Sequence, residues 1–307
     1  MVGNGGDRLI TLSAGPLELV LSPAAGGSIA RFEFSDDGRV VPILRGCPSA
    51  PAHALEAGSF PLVPYVNRIR DGRFTFRGRT VALAPNMAGD PSPLHGQGWL
   101  HPWSVKLATA DEAILEFTHS AGEWPWSYVA RQHFKLGESG FELELRCRNL
   151  SDEPMPCGLG QHPYFHCSGE TRIRTRVEQV WTIDDLVLPV ERIAATGRFD
   201  LSDQLVCGLG LDHGFSGWGG QAHLSDPDWP FEISMSSATA DFFQLYSPES
   251  GGIFVAEPVS HANAALNQPE EEWAALGMRI LEPGEELLLG MSLAITANVT
   301  GKLDNLS

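Results

Sequence analysis

Apolar and polar residues alternate with a period of two along most of this chain, and glycine or proline interrupts the alternation every few residues. Successive side chains of a strand point to opposite faces, so this is the pattern of strands joined by turns. It predicts strands over 10–13, 17–21, 28–34, 39–44, 104–108, 113–119, 128–136 and 140–149. The clearest is 140–149, where Phe141, Leu143, Leu145 and Cys147 fall on one face and Glu142, Glu144, Arg146 and Arg148 on the other. Further strands are expected over 171–183, 186–193, 222–224, 231–236, 242–247 and 252–256. Residues 209–218 read as a loop.

Four segments carry more specific expectations. Arg73 to Phe76 and Thr80 to Leu83 flank Arg77-Gly78 as a tight hairpin. Residues 279–282 and 286–297 read as a hairpin around Pro283-Gly284. Pro269 to Leu276, with Glu270, Glu271 and Glu272 in its first turn, reads as a short helix. Gly58 to Val66 contains Pro61 and Pro64 and reads as an extended buried segment ending at Asn67-Arg68. No internal repeat or linker divides the chain, so residues 1–307 are read as a single domain. The fold class expected is all-β, a large antiparallel sandwich of two stacked sheets with few short helices.

Composition narrows the function. Against 38 acidic residues stand 21 basic ones, a formal net charge of −17 that disfavours nucleic-acid backbones and anionic membranes as partners. No apolar run reaches 18 residues, so no membrane span is expected. The first twelve residues hold no run of signal-peptide length, which predicts a cytoplasmic protein. Five cysteines without a Cys-x-x-Cys spacing then read as reduced thiols.

Polar groups break the β rhythm at a few places. The foremost is Gly158-Leu159-Gly160-Gln161-His162-Pro163-Tyr164-Phe165. Pro163 pushes His162 toward an extended conformation, out of any helix interior. Asn67-Arg68, His95, Asp212-His213 and Glu257-Pro258 are similar interruptions. Glu257 ends the apolar run Ile253 to Ala256, where a carboxyl is costly unless paired or used. His162 and His166 stand four apart, but Pro163 removes the helix that a zinc pair would need, and no metal site is expected.

Together these segments resemble the aldose 1-epimerase (mutarotase) family. Asn67-Arg68-Ile69, Leu94-His95-Gly96, His162-Pro163-Tyr164-Phe165, Asp212-His213 with Phe215, Glu257-Pro258 and the Pro283-Gly284-Glu285 turn follow the family's order. Gln161 stands where many relatives have Asn. The resemblance implies a β-supersandwich and interconversion of the α and β anomers of a free aldose without a cofactor. It implies Glu257 as general base and His162 as general acid. His95, Arg68, Asn67 and Asp212 would hold sugar oxygens. Trp218, just after Asp212, is the aromatic residue chosen from Trp99, Trp103, Trp124, Trp126 and Trp218 to stack on the sugar. The expected partner is a monosaccharide, on a monomer or homodimer. Two alternatives stand beside this: a non-catalytic carbohydrate-binding module, and a hexose 6-phosphate mutarotase using Arg70, Arg73 and Arg131 on the phosphate.

Overall fold

The computed structural model describes residues 8–36 and 38–298. Two antiparallel sheets dominate it. In the nine-stranded sheet the order across the sheet is Gln204–Leu205, Arg172–Thr175, Gln221–Ser225, Phe231–Ser236, Glu286–Ala297, Gly140–Asn149, Tyr128–Gly137, Glu112–His119 and Ser104–Ala108. The eight-stranded sheet runs Pro189–Ala194, Gln179–Ile183, Leu211–Ser216, Phe242–Ser247, Ile253–Val259, Gly160–Gln161 and Pro61–Leu62, with Tyr164–His166 also paired to Ile253–Val259. A four-stranded sheet, Ile10–Ala14 to Arg39–Pro42, adds a further layer. This is the β-sandwich that the alternation predicted.

One apolar cluster joins the sheets. Phe141, Leu143 and Leu145 of the larger sheet share it with Phe215, Phe243, Leu245, Phe254 and Ala256 of the smaller. The other face of the smaller sheet carries Phe242, Val255 and Val259, and these pack in a second cluster with Phe60, Leu62, Val66 and Trp99. Both faces of Ile253–Val259 are therefore covered, and Glu257 lies on the second.

Four local expectations are corrected. The loop expected over 209–218 is in part the strand Leu211–Ser216, in register with Phe242–Ser247 along its whole length. At Gly214 a Cβ would crowd the Gln244 side chain, at 3.1 Å. The strand expected over 171–183 is two strands in different sheets, Arg172–Thr175 and Gln179–Ile183. The Pro283-Gly284 turn forms, yet Arg279–Leu281 pairs with Met155–Cys157 while Glu286–Ala297 enters the nine-stranded sheet. The helix at 269–276 is a 3-10 turn, Glu270–Glu272, and a further turn. Gly277, with φ +82°, ends it before regular hydrogen bonding can extend.

The cysteines require a fifth correction. Cys167 and Cys207 form a disulfide across a sequence separation of 40, while Cys47, Cys147 and Cys157 are free. Spacing could not show a pairing made by two turns at the edges of different strands. The bridge ties the chain after Tyr164–His166 to the chain before Leu211–Ser216. Closing such a loop restricts the unfolded chain, so reduction is expected to cost about 2–4 kcal/mol. A fall in the denaturant midpoint in dithiothreitol, absent in Cys167→Ser, checks this. Among the described residues no helix is long and apolar enough to cross a membrane.

Candidate active site

A cavity of about 280 Å³ opens on the second face of the eight-stranded sheet. His162, Glu257, Asp212, Asn67, Arg68 and His95 all line it, with Phe60, Trp99, Tyr164 and Tyr246. Six of the seven residues singled out in the sequence thus meet in one place. Strand register explains two of them. Gln244 is opposite Glu257 and Tyr246 is opposite Asp212, so these four side chains project from one face of three adjacent strands.

His162 stacks on Phe60, with ring centroids 4.5 Å apart and planes 13° from parallel, and Tyr164 flanks it at 4.7 Å. Its backbone N–H donates to the Phe60 carbonyl over 3.1 Å. The ring is fixed by packing, yet among the described residues its Nδ1 has no hydrogen-bond partner. Its Nε2 stands 3.6 Å from Glu257 Oε1, too far for a hydrogen bond but close enough for strong coupling. Glu257 Oε2 is likewise buried without a partner among the described residues. Side chains this deep are normally satisfied by hydrogen bonds, so the two groups carry unspent capacity.

Burial controls the protonation of both. It pushes the His162 imidazole down from an ordinary 6.5 to about 3, with the Arg45 charge acting in the same direction. It pushes the Glu257 carboxyl well above its ordinary range; the Asp212 charge adds to this and Arg68 opposes it. Both shifts favour the neutral pair, with the proton on Glu257 rather than on His162. That form holds the same number of protons as imidazolium beside carboxylate. One proton is shared, and only its location differs.

The other side chains form a second group. Arg68 Nε donates to Asp90 Oδ2 over 2.9 Å and Nη1 to Asn67 Oδ1 over 3.1 Å, while Asp212 Oδ2 stands 3.6 Å from Nη1. Gln244 Nε2 donates to Asp212 Oδ1 over 2.8 Å. Burial raises the Asp212 carboxyl, against the pull of Arg68 and Gln244. His95 Nδ1 accepts from the Asn67 backbone N–H over 3.1 Å, and the His95 backbone N–H donates to the Asn67 carbonyl over 3.0 Å. That reciprocal pair leaves the proton of a neutral His95 on Nε2. Both residues have φ +59°, a conformation tolerated by Asn and His better than by most residues and often found at functional sites. Burial, and then the charges of His162 and Arg68, hold His95 well below the ordinary histidine range.

Trp218 does not line the cavity. It is on the inner face, stacked on Phe243 at 5.2 Å with its indole N–H donated to Thr175 Oγ1 over 2.8 Å. Trp99 is the tryptophan at the cavity. Trp218 is close to Asp212 in sequence but not in space, because after Leu211–Ser216 the chain turns at Gly217, φ +66°, and continues into Gln221–Ser225 of the other sheet. Arg70 pairs with Asp184 at 3.2 Å, Arg131 with Glu116 at 2.7 Å, and Arg73 lines a separate surface groove. Gln161 donates to Gln132 Oε1 over 3.2 Å, away from the cavity. Asp90, Gln244 and Phe60 were not anticipated. Only the polar Gln244 within the apolar run 242–246 gave a sequence signal.

Three comparisons bear on this arrangement. The family model described as aldose 1-epimerase matches residues 8–294. YphB of Escherichia coli K12, itself uncharacterised, is 32% identical over 298 residues, covering 94% of this chain and 98% of that protein. An aldose 1-epimerase of Escherichia coli K12 is 28% identical over 193 residues, covering 60% of this chain and 54% of that protein. Among solved structures, an aldose 1-epimerase candidate from Escherichia coli K12 superposes with a TM-score of 0.86 at 30% identity, covering 95% and 99% of the two chains. A galactose mutarotase-like protein from Clostridium acetobutylicum has the same fold, with a TM-score of 0.79 at 21% identity over 94% of this chain and 95% of that one.

Proposed function

Since this chain belongs to the aldose 1-epimerase family, we propose that its cavity opens and recloses the ring of a free monosaccharide, exchanging α and β anomers. The single observation that carries the reading is the His162 and Glu257 pair, 3.6 Å apart with an unpartnered polar atom on each. Ring opening needs the proton on O1 removed and one delivered to O5. These oxygens share carbon C1, so a donor and an acceptor side by side suffice; they need not face each other across the sugar.

Glu257 takes the O1 proton and His162 gives one to O5. The C1–O5 bond breaks, the O1 electrons form the aldehyde carbonyl, and rotation about C1–C2 presents the other face for closure. Closure returns both protons, leaving the pair as it began. Sugar binding must first move the shared proton from Glu257 to His162. Arg68, which favours ionised Glu257, supports that transfer. His95 and Arg68 hold oxygens near C1, Asn67 and Asp212 bind hydroxyls, and Trp99 offers a ring to an apolar sugar face.

The cavity suits a neutral sugar. Among the described residues Arg68 alone of the cavity's lining is Lys or Arg, and it is engaged by Asp90 and Asp212. A hexose 6-phosphate would meet more negative than positive charge there. Polarimetry on freshly dissolved α-glucose and α-galactose tests the proposal. Acceleration of either supports it; sugar binding by calorimetry without acceleration of any common aldose would favour the non-catalytic module and overturn it.

The same ionisation predicts the pH dependence. The one-proton pair persists from about pH 3, where His162 gains a second proton, up to the raised value at which Glu257 loses its own. The kcat/KM profile should therefore lack the acid step near pH 6.5 of an exposed histidine and decline on the alkaline side. Stability moves differently. His162, and His213 and His261, each pushed down to about 4 by burial, bind protons more readily when unfolded. Their contribution is complete above about pH 6.5 and is lost as the pH falls toward 4 and 3. Because the raised Glu257 and Asp212 carboxyls act in the opposite direction, denaturant midpoints of the parent and of His213→Ala, compared between pH 4 and 8, check the sign.

A further inference from the structure

Three consecutive backbone N–H groups of the segment carrying Asn67 and Arg68 are taken by side chains. Val66 N–H donates to His261 Nε2 over 2.9 Å, Asn67 N–H to His95 Nδ1 over 3.1 Å, and Arg68 N–H to Asn263 Oδ1 over 3.1 Å. Each acceptor has a fixed orientation. His261 Nδ1 lies 2.7 Å from the Ala262 carbonyl, so it carries the proton and leaves Nε2 free to accept. Asn263 Nδ2 donates to the Val187 carbonyl over 3.0 Å, which settles which amide atom faces Arg68. The His261 ring fits only because residue 158 is glycine; a Cβ there would lie 1.9 Å from the ring.

The strap 261–263 therefore grips the chain on both sides of Asn67. That residue is held in a left-handed conformation, and its N–H fixes the His95 tautomer. Without both flanking bonds, Asn67 would relax toward ordinary backbone angles. The Asn67 N–H would then turn from His95 Nδ1, and Arg68 would shift against Asp212. We infer that His261 and Asn263 are positioning residues, which clamp the Val66–Arg68 backbone and so aim His95 Nε2–H and the Arg68 guanidinium into the cavity.

The kinetic consequence rests on the epimerase reading; the structural one does not. Asn263→Ala should lower kcat for anomer exchange by up to about 10²-fold, since displacements on the order of 1 Å at a reacting centre cost that much. Asn263→Asp keeps an oxygen for the Arg68 N–H but loses the donor to the Val187 carbonyl, and should restore part of the rate. A merely structural role would make both variants melt earlier without separating their kcat values. His95 side-chain ¹⁵N shifts give a readout that needs no substrate. They should report a single Nε2–H tautomer in the parent protein and Asn263→Asp, and a tautomer mixture in Asn263→Ala. His261→Leu should act like Asn263→Ala, though its buried site endangers folding; the half-buried Asn263 variants keep the test decisive. An unchanged His95 spectrum in Asn263→Ala overturns the clamp. A parent protein that accelerates no aldose overturns the epimerase reading alone, and the ¹⁵N result still judges the clamp.

Discussion

Glu257→Gln should slow anomer exchange by about 10²–10⁴-fold, the usual contribution of a positioned acid or base. Glutamine keeps the shape and the hydrogen-bonding reach but cannot take the O1 proton. His162→Asn should cost a similar factor. The two losses should not add, because the residues move one proton between them: the double variant should be little slower than either single one. The same carboxyl is a liability to the fold. Glu257 is 2% exposed, with one oxygen unpartnered and its charged form opposed by burial. Glu257→Gln should therefore unfold at a denaturant concentration equal to or above that of the parent, as when strain at a site is traded for activity. Polarimetry and a urea titration on one preparation measure both. Undiminished exchange would remove Glu257 from the mechanism; slow exchange with a markedly lower midpoint would instead indicate damage to the fold.

The largest stability loss is expected from Gly96→Ala. A Cβ at Gly96 would stand 2.1 Å from the Val63 carbonyl oxygen and 2.5 Å from Pro64 Cδ, and φ there is +70°. Backbone cannot turn aside as a flexible side chain can. The left-handed conformation costs a side chain about 1–2 kcal/mol, and overpacking typically adds about 1–3 kcal/mol. Together these are a large part of the roughly 5–15 kcal/mol that holds a typical domain folded. Gly78→Ala is the matched control, with φ +79° and no atom within 4 Å of the added carbon. It should show the conformational cost alone. The difference between the two urea midpoints isolates the close approach of the Leu94-His95-Gly96 segment to Val63. Equal losses would mean that this segment shifts freely, and His95 would then not be rigidly placed.

Local pattern was enough for most strands. The ten residues of Gly140–Asn149 alternate as read, because one face meets the core and the other meets water. Alternation says less when both faces of a sheet are covered. Along Ile253–Val259 the apolar run hides which face is which, and only the opposite register of Gln244 and Glu257 shows that the carboxyl faces a cavity. Gly210, Gly214 and Gly217, in and beside Leu211–Ser216, give it a loop's composition because neighbouring side chains crowd those positions, so propensity pointed away from a central strand.

The residue types for the chemistry, their order along the chain and the turns that present them were fixed by sequence alone. Their separation of 3.6 Å, the neutral form of the His162 and Glu257 pair, the Cys167–Cys207 bridge and the choice of Trp99 over Trp218 came from tertiary structure. The reason is common to all of these. Each depends on contacts between residues far apart in the chain, and on how much water those contacts exclude, whereas a sequence pattern records only what each residue prefers beside its neighbours.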